Sequence, residues 1–110
     1  MGDAAHAMTP WQGSGAGQAI EDAMILETVL AAVKTPRDLE AAFRAYDKVR
    51  RPRTQRIVEA SSVMSRMMSG RGLDVGLDPD KLRGALGPRW GFIHNLDMKK
   101  HKEEALAAMD

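Results

Sequence analysis

The stretch between residues 16 and 34 constrains the fold most, because it predicts a helix that is apolar almost all the way round. Stepped at about 100° per residue, its large apolar side chains point to several sides of the helix instead of forming one stripe. They are Ile20, Met24, Ile25, Leu26, Val29, Leu30 and Val33. Such a helix belongs inside a larger protein, although 110 residues would suffice for one small domain.

The rest of the chain predicts further helices and no strand. Proline follows a capping residue at Thr35 and again at Asp78, and Asp97 can cap a last helix. The additional helices are expected at 35–68, with a kink or restart at Pro52, at 78–86 and at 97–109. Residues 89–95 are aromatic and lack a regular pattern. We therefore expect the isolated chain to be all-α.

Composition and charge argue against several classes of function. Cysteine is absent, which leaves neither disulfides nor thiolate metal sites and agrees with a cytoplasmic protein. No apolar run approaches membrane-spanning length, and a net charge of +1 gives no general attraction to a membrane or to nucleic acid. The basic residues of the long helix point all around its axis without an aromatic platform, so we expect no nucleic acid partner. These residues are Lys48, Arg50, Arg51, Arg53 and Arg56.

The sequence gives only weak evidence for catalytic or metal-binding residues. His6 lies near Asp3, but a loop histidine more often anchors its turn by hydrogen bonding than takes part in chemistry. His94, Asp97 and His101 could approach one another, yet three scattered ligands without a partner motif favour a solvated helix face over a metal site. We assign no catalytic residue and no metal ligand.

The first 23 residues form a loop with one carboxylate and several glycines, followed by the start of the apolar helix. Asp3 is surrounded by small residues, so its carboxylate can accept hydrogen bonds from a closely approaching polyol. Gly13, Gly15 and Gly17 let the backbone lie close to a ligand, and a helix that begins near Ala16 directs unpaired N–H groups at it. We expect a ligand with hydroxyl groups and an electron-rich end.

This loop resembles the second flavin motif of the FAD-dependent aromatic hydroxylases, the para-hydroxybenzoate and salicylate hydroxylase group. The matching positions are Gly2–His6, Pro10, Gly13, Gly15 and Ala19–Ala23. The resemblance implies that Asp3 binds the ribityl chain of FAD and that Pro10 lies over the reactive edge of the flavin. It also implies that the N–H groups of Ala16 and Gly17 face the pyrimidine edge. The segment from Trp90 to Ala105 resembles the tail of the salicylate hydroxylase-like members.

The resemblance covers only the C-terminal part of such an α/β enzyme, because no strand followed by Gly-x-Gly-x-x-Gly is present. It implies 1–23 as flavin motif and helix start, 24–69 as long helices and 70–110 as a helical tail. The parent enzyme would use FAD, NAD(P)H and O₂ to hydroxylate a phenolic or heteroaromatic acid, with the missing N-terminal part as partner. We expect the fragment alone to be inactive and to form a homo-oligomer. The alternative is a small helical interaction module that self-associates without flavin.

Overall fold

The computed structural model describes all 110 residues and confirms an all-α chain without strands. Two long helices dominate it and four shorter ones complete it. The helices are α1 (Asp3–His6), α2 (Gly15–Ala31), α3 (Leu39–Met68), α4 (Pro79–Leu86), α5 (Gly91–His94) and α6 (Met98–Ala107). Short 3₁₀ turns precede α2, α3 and α5, at Pro10–Gln12, Pro36–Asp38 and Gly87–Trp90.

The helix starts expected from local chemistry are present. The Asp78 carboxylate accepts the N–H groups of Asp80 and Lys81, at 3.1 and 2.9 Å, and so caps α4. The Asp97 carboxylate accepts the N–H of Lys100 at 3.1 Å and caps α6. Both caps satisfy donors that have no partner inside their own helix, which is why the sequence signal is reliable.

Three expected boundaries differ. The first long helix ends at Ala31 instead of Lys34, because the Asp38 carboxylate draws the N–H groups of Lys34 and Thr35 into the next turn, at 3.1 and 2.8 Å. Helix α3 runs unbroken through Pro52, so no restart occurs there. The last helix ends at Ala107, two residues before the expected end.

The expectation that residues 89–95 are irregular is wrong. They form the end of the 3₁₀ turn and the short helix α5, closed by a 2.9 Å hydrogen bond from the Asn95 N–H to the Gly91 carbonyl. The Arg89 guanidinium donates to the Ala60 carbonyl at 2.7 Å, and the Trp90 indole donates to the Gln12 carbonyl at 3.0 Å. These tertiary contacts hold the segment in place, and the local sequence pattern does not predict them.

Helices α2, α3 and α6 pack together around a small core. Its fully buried members are Ile25, Val29, Ala42, Ala45 and Ala105. Only 17 of 110 residues are buried, and nine of those are polar or charged. The radius of gyration is 16.8 Å and the extents are 57 × 24 × 19 Å, whereas a compact domain of this size has a radius of about 13 Å. The chain therefore does not enclose a large core of its own.

The outward side of α2 keeps large apolar side chains in solvent, as expected for a helix that is apolar on several sides. Ile20 is 62% exposed, and Met24 and Leu30 are each 37% exposed. On α3, Phe43 is 53% exposed. The inward side of α2 buries Gln18 and Asp22 together with its apolar residues. No helix is both long and apolar enough to cross a membrane.

Candidate functional site

Gly2 begins the loop with a backbone that only glycine adopts readily. Its φ of 59° and ψ of −148° lie in a region that side chains exclude. The turn packs on α2, since a Cβ placed at Gly2 would lie 4.0 Å from the Cβ of Ala19. Asp3 follows at the first position of α1, exposed, and no donor of the chain reaches its carboxylate.

The buried Asp22 side chain of α2 connects this turn to the helix by hydrogen bonds. One carboxylate oxygen, Oδ2, accepts the N–H of Gly2 at 3.0 Å and contacts Nε2 of His6 at 2.5 Å. Both His6 and Asp22 are buried, so His6 anchors the turn by hydrogen bonding as the sequence indicated. Burial raises the pKa of the Asp22 carboxyl, but hydrogen bonds from Arg50, Gly2 and His6 outweigh it and hold that pKa below its usual value.

Arg50 of α3 is the centre of a buried polar network. Its Nε donates to Oδ1 of Asp22 at 2.8 Å, and Nη1 donates to Oε2 of Glu21 at 2.8 Å. Its Nη2 donates to the side-chain oxygen of Gln18 at 2.9 Å and to the Gln18 carbonyl at 3.3 Å. Nη1 also lies 3.2 Å from Nε2 of His101 on α6. The network therefore joins three helices through one guanidinium.

Arg53 completes the charge balance on the exposed side of the network. Its Nε and Nη2 donate to the two oxygens of Glu21 at 2.7 and 2.9 Å, in the two-pronged geometry that arginine and carboxylate favour. Burial raises the pKa of Glu21, while Arg53 and Arg50 lower it by more, so the net shift is downward. Two members of the basic cluster of α3, Arg50 and Arg53, thus form internal ion pairs, and Arg51 forms an exposed pair with Asp47.

A second set of hydrogen bonds holds the turn that contains Pro10 and Gly13. The Ser61 hydroxyl of α3 donates to the Thr9 carbonyl at 2.6 Å. The buried Gln12 side chain donates to the Arg89 carbonyl at 2.9 Å, and its own carbonyl accepts from Trp90. Gly13 then closes the turn in the left-handed region at φ 64°, with its N–H donating to the Pro10 carbonyl at 2.9 Å.

The start of α2 leaves three backbone donors without a partner. Ser14 stands at the capping position, but its hydroxyl donates to the Gln12 carbonyl at 3.0 Å and caps nothing. The first hydrogen bond of the helix runs from the N–H of Gln18 to the Ser14 carbonyl at 2.9 Å. The N–H groups of Gly15, Ala16 and Gly17 therefore remain free for an acceptor outside the chain.

The six residues that the sequence singled out lie on the open side of this scaffold. Five of them are exposed and Gly15 is half-buried; the five are Asp3, Pro10, Gly13, Ala16 and Gly17. A cavity of about 250 Å³ beside the network, lined by His6, Tyr46 and Arg50 among others, includes none of the six. The candidate residues are thus accessible to a ligand from outside the chain.

Sequence reasoning missed the residues that hold this surface in place. From the sequence, Glu21 and Asp22 are only matching positions of the motif, and Arg50 is only one of the basic residues of the long helix. Asp22 is four residues after Gln18 and three before Ile25, so all three lie on the buried face of α2. The sequence signal that could have identified the network is that Gln18 and Asp22 share the helical spacing of the buried apolar residues of α2.

The comparisons with known proteins agree with this geometry. Residues 1–61 match a family model described as FAD binding domain, which covers the loop, α2 and most of α3. No solved structure matches the chain.

Three relatives extend the match over nearly the whole chain. A FAD-dependent monooxygenase of Phaeosphaeria nodorum is 44% identical over 109 residues, 99% of this chain and 22% of that protein. A 6-methylsalicylate 1-monooxygenase of Aspergillus terreus is 39% identical over 106 residues, 96% of this chain and 24% of that protein. A salicylate hydroxylase of Pseudomonas putida is 36% identical over 110 residues, 99% of this chain and 25% of that protein.

The chain therefore spans about a quarter of the length of these relatives. The matched region contains the glycine-rich loop, the free helix start and the network beneath them. The chain belongs to the FAD-binding domain family, whose members here are FAD-dependent monooxygenases.

Proposed function

We propose that this chain supplies part of the FAD pocket in a flavoprotein monooxygenase that hydroxylates a phenolic or heteroaromatic acid with NAD(P)H and O₂. In that enzyme it forms the C-terminal portion, and the N-terminal part completes the pocket. Relatives that act on 6-methylsalicylate and salicylate, by their names, support a salicylate-like substrate.

One observation carries the proposal: the Asp3 carboxylate, in a turn that packs on α2, and three N–H groups at the start of that 17-residue helix all lack a partner in the chain. A flavin needs this combination, because its ribityl hydroxyls donate hydrogen bonds and its pyrimidine edge accepts them. The residues present therefore fit the cofactor.

Each candidate residue has a distinct role in this proposal. The Asp3 carboxylate accepts hydrogen bonds from the ribityl chain, and Pro10 lies over the reactive edge of the ring. Gly13 and Gly15 keep the backbone free of side chains where the ring approaches. The N–H groups of Ala16 and Gly17 donate to the pyrimidine edge.

When bound, FAD supplies the redox and oxygen chemistry, and this chain binds and orients it. The positive end of the α2 dipole favours electron density at the pyrimidine edge by about 0.3–1 kcal/mol, and by more where water is excluded. Since Asp3 is the one titratable side chain among the six candidate residues and its role in this proposal is to accept hydrogen bonds from the ribityl chain, we assign binding and orientation to this chain and no catalytic residue.

The Asp3 carboxylate tests the proposal in a full-length enzyme that contains this segment. Asp3→Ala removes charge-assisted hydrogen bonds that contribute about 1.5–3 kcal/mol each, so we expect FAD to bind at least about tenfold more weakly. Flavin fluorescence titration measures the Kd. Asp74→Ala, which removes an equally exposed carboxylate from a distant loop, is the matched control. An unchanged Kd in Asp3→Ala would show that this residue does not bind the cofactor.

The isolated chain separates this proposal from the alternative of an interaction module. We expect the purified 110-residue chain to show no hydroxylation and no tight FAD binding, because its candidate surface is open on one side. Absorbance in the flavin bands after purification measures retention. Stoichiometric FAD would contradict the need for a second half, whereas an upstream reading frame with Gly-x-Gly-x-x-Gly would exclude the free-standing module.

A further inference from the structure

We propose that Arg50 is a positioning residue: through Asp22 it holds Asp3 at a set place relative to the free N–H groups of α2. The inference rests on the proposed function, because Asp3 and those N–H groups are the two parts of the proposed flavin surface. Arg50 touches neither the cofactor nor the candidate surface residues, and it lies 28 residues beyond Asp22 in the chain.

The first link joins α3 to the beginning of α2. Arg50 is 2% exposed and donates to Gln18, Glu21 and Asp22, which together span the second turn of α2. Its contact with the Gln18 carbonyl adds a backbone constraint at the residue directly after Gly17. The guanidinium therefore sets where the helix start lies on α3.

The second link joins α2 to the turn that carries Asp3. Arg50 occupies one oxygen of Asp22, Oδ1, and this leaves Oδ2 directed at Gly2 and His6. Gly2 precedes Asp3 and His6 ends the same short helix, so Oδ2 holds α1 at both ends. A rotation of the Asp22 carboxylate would move both anchors at once.

Arginine is required at this position because of its geometry as well as its charge. Five N–H donors in a planar fork reach three side chains and one carbonyl at once, whereas a lysine ammonium is a point charge with three donors. Without the contact from Nε, the buried Asp22 carboxylate loses the hydrogen bond that Arg50 donates to Oδ1 and is free to turn.

Arg53 provides a matched control on the same helix. It is also largely buried, and it donates to Glu21 and to the carbonyls of Phe92 and Ile93, but it does not reach Asp22. A change there weakens the packing of α2 and α5 on α3 and leaves the link to Gly2 intact. The two arginines thus separate positioning of the turn from general support of the helix pair.

The first test uses the isolated chain without flavin. In Arg50→Lys we expect amide exchange at Gly2 and His6 to accelerate at least about tenfold while the interiors of α2 and α3 stay protected. Arg53→Lys should leave exchange in the turn within about twofold of the parent chain. Unchanged exchange and chemical shifts at Gly2, Asp3 and His6 in Arg50→Lys would overturn the proposal.

Asp22→Asn tests the second link if Arg50→Lys does not fold. The amide keeps the shape of the carboxylate and one acceptor for Arg50, but its NH₂ group cannot accept from the Gly2 N–H. We expect the same acceleration at Gly2 and His6. A turn that stays protected in Asp22→Asn would also overturn the proposal.

The second test measures FAD affinity in a full-length enzyme that contains this segment, as a double-mutant cycle. Arg50→Lys should raise the FAD Kd at least about tenfold when Asp3 is present and less than about twofold in the Asp3→Ala background. A residue that only supports the fold would weaken binding equally in both backgrounds, and that result would overturn the positioning role. If Asp3→Ala alone leaves the Kd unchanged, the proposed function fails, while the flavin-free test still judges the link from Arg50 to the turn.

Discussion

At the scale of single residues, backbone conformation and buried polarity matter more than apolar contact. Gly2 adopts a dihedral region that other residues enter only with strain, and Asp22 is fully buried yet makes three contacts through its two oxygens. The geometry agrees with a carboxylate that stays ionised, because each oxygen faces a donor. Gly2 and Asp22 therefore fix the position of the loop, which the pattern of apolar residues does not specify.

Gly2→Ala tests the backbone constraint. We expect the isolated chain to lose about 1–3 kcal/mol of unfolding free energy, because alanine is strained at φ 59° and ψ −148°. Urea denaturation followed by circular dichroism measures it. Gly17→Ala is the control, since Gly17 is helical with open space around a Cβ, and there we expect a gain of about 0.5–1 kcal/mol. Equal losses in both variants would contradict the assignment.

Candidate residues could be inferred from the sequence where their role depends on neighbouring residues in the chain. Asp3 and the glycines were found from their chemistry, because a carboxylate among small residues and a glycine-rich turn are local features, whereas Pro10 was found from the motif that the loop resembles. Their roles toward FAD stay predictions. Arg50 and Ser61 could not be found in this way, because their partners lie 28 to 52 residues away.

At the scale of elements, the polar network couples α2, α3 and α6 through groups that titrate. Burial lowers the pKa of His101 on α6, and the positive charges of Arg50 and Arg53 lower it further against the opposing effect of Glu104 and Glu21. The pKa values of Glu21 and Asp22 are also held below their usual ranges. All three shifts favour the form that binds fewer protons.

We therefore expect stability to fall in two stages on acidification. Below about pH 6.5 the unfolded chain takes up a proton at His101 that the folded chain resists. The free energy of unfolding therefore falls as the pH is lowered. Below about pH 4.5 the same argument applies to Glu21 and Asp22, whose stabilising contribution is lost as they protonate.

Urea midpoints at pH 7.5, 5.5 and 3.5 would measure both stages. His101→Gln keeps a polar side chain beside Arg50 but removes the titrating group, so the decrease between pH 7.5 and 5.5 should shrink while the acidic stage remains. A midpoint that does not change with pH in the parent chain would contradict the coupling.

The helices themselves were mostly predictable at this scale. Caps at Asp78 and Asp97 are confirmed because the donor and the acceptor lie within three residues of each other. The helical form of residues 91–94 was not predictable, because Trp90 and Arg89 hold that segment through contacts with Gln12 and Ala60.

At the scale of the whole molecule, the chain is elongated and its apolar surface is uncovered. It has few buried residues, and Ile20 and Met24 remain exposed on the outward side of α2. Leu39 and Phe43 expose a second apolar surface on α3. In the proposed enzyme the remaining part of the protein covers such surfaces.

We expect the isolated chain to self-associate through α2, against its own copy or against the Leu39 and Phe43 surface of another chain. Burying a side chain of this size contributes about 1.5–3 kcal/mol, so closed two-fold pairing is the simplest way to recover several kcal/mol. Sedimentation at micromolar concentration measures the state. Ile20→Glu should shift it toward monomer.

Leu73→Glu is the control for this prediction, because Leu73 is 93% exposed on a distant loop and should leave association unchanged. A parent chain that sediments as a well-folded monomer with a cooperative melt would contradict this prediction. It would show that the chain is stable with the apolar residues of α2 exposed to solvent.

The sequence by itself determined the helical class, most helix starts and the need for further protein, because each follows from local propensity or from the periodicity of apolar residues. The flavin-type loop was found from its resemblance to a known motif. Only the tertiary structure decided that Gln18, Asp22 and Arg50 form the interior beneath the loop. Arginine and aspartate prefer solvent unless each meets a partner that satisfies its charge, and whether those partners meet depends on how α2 packs across α3. That packing depends on contacts between residues far apart in the chain.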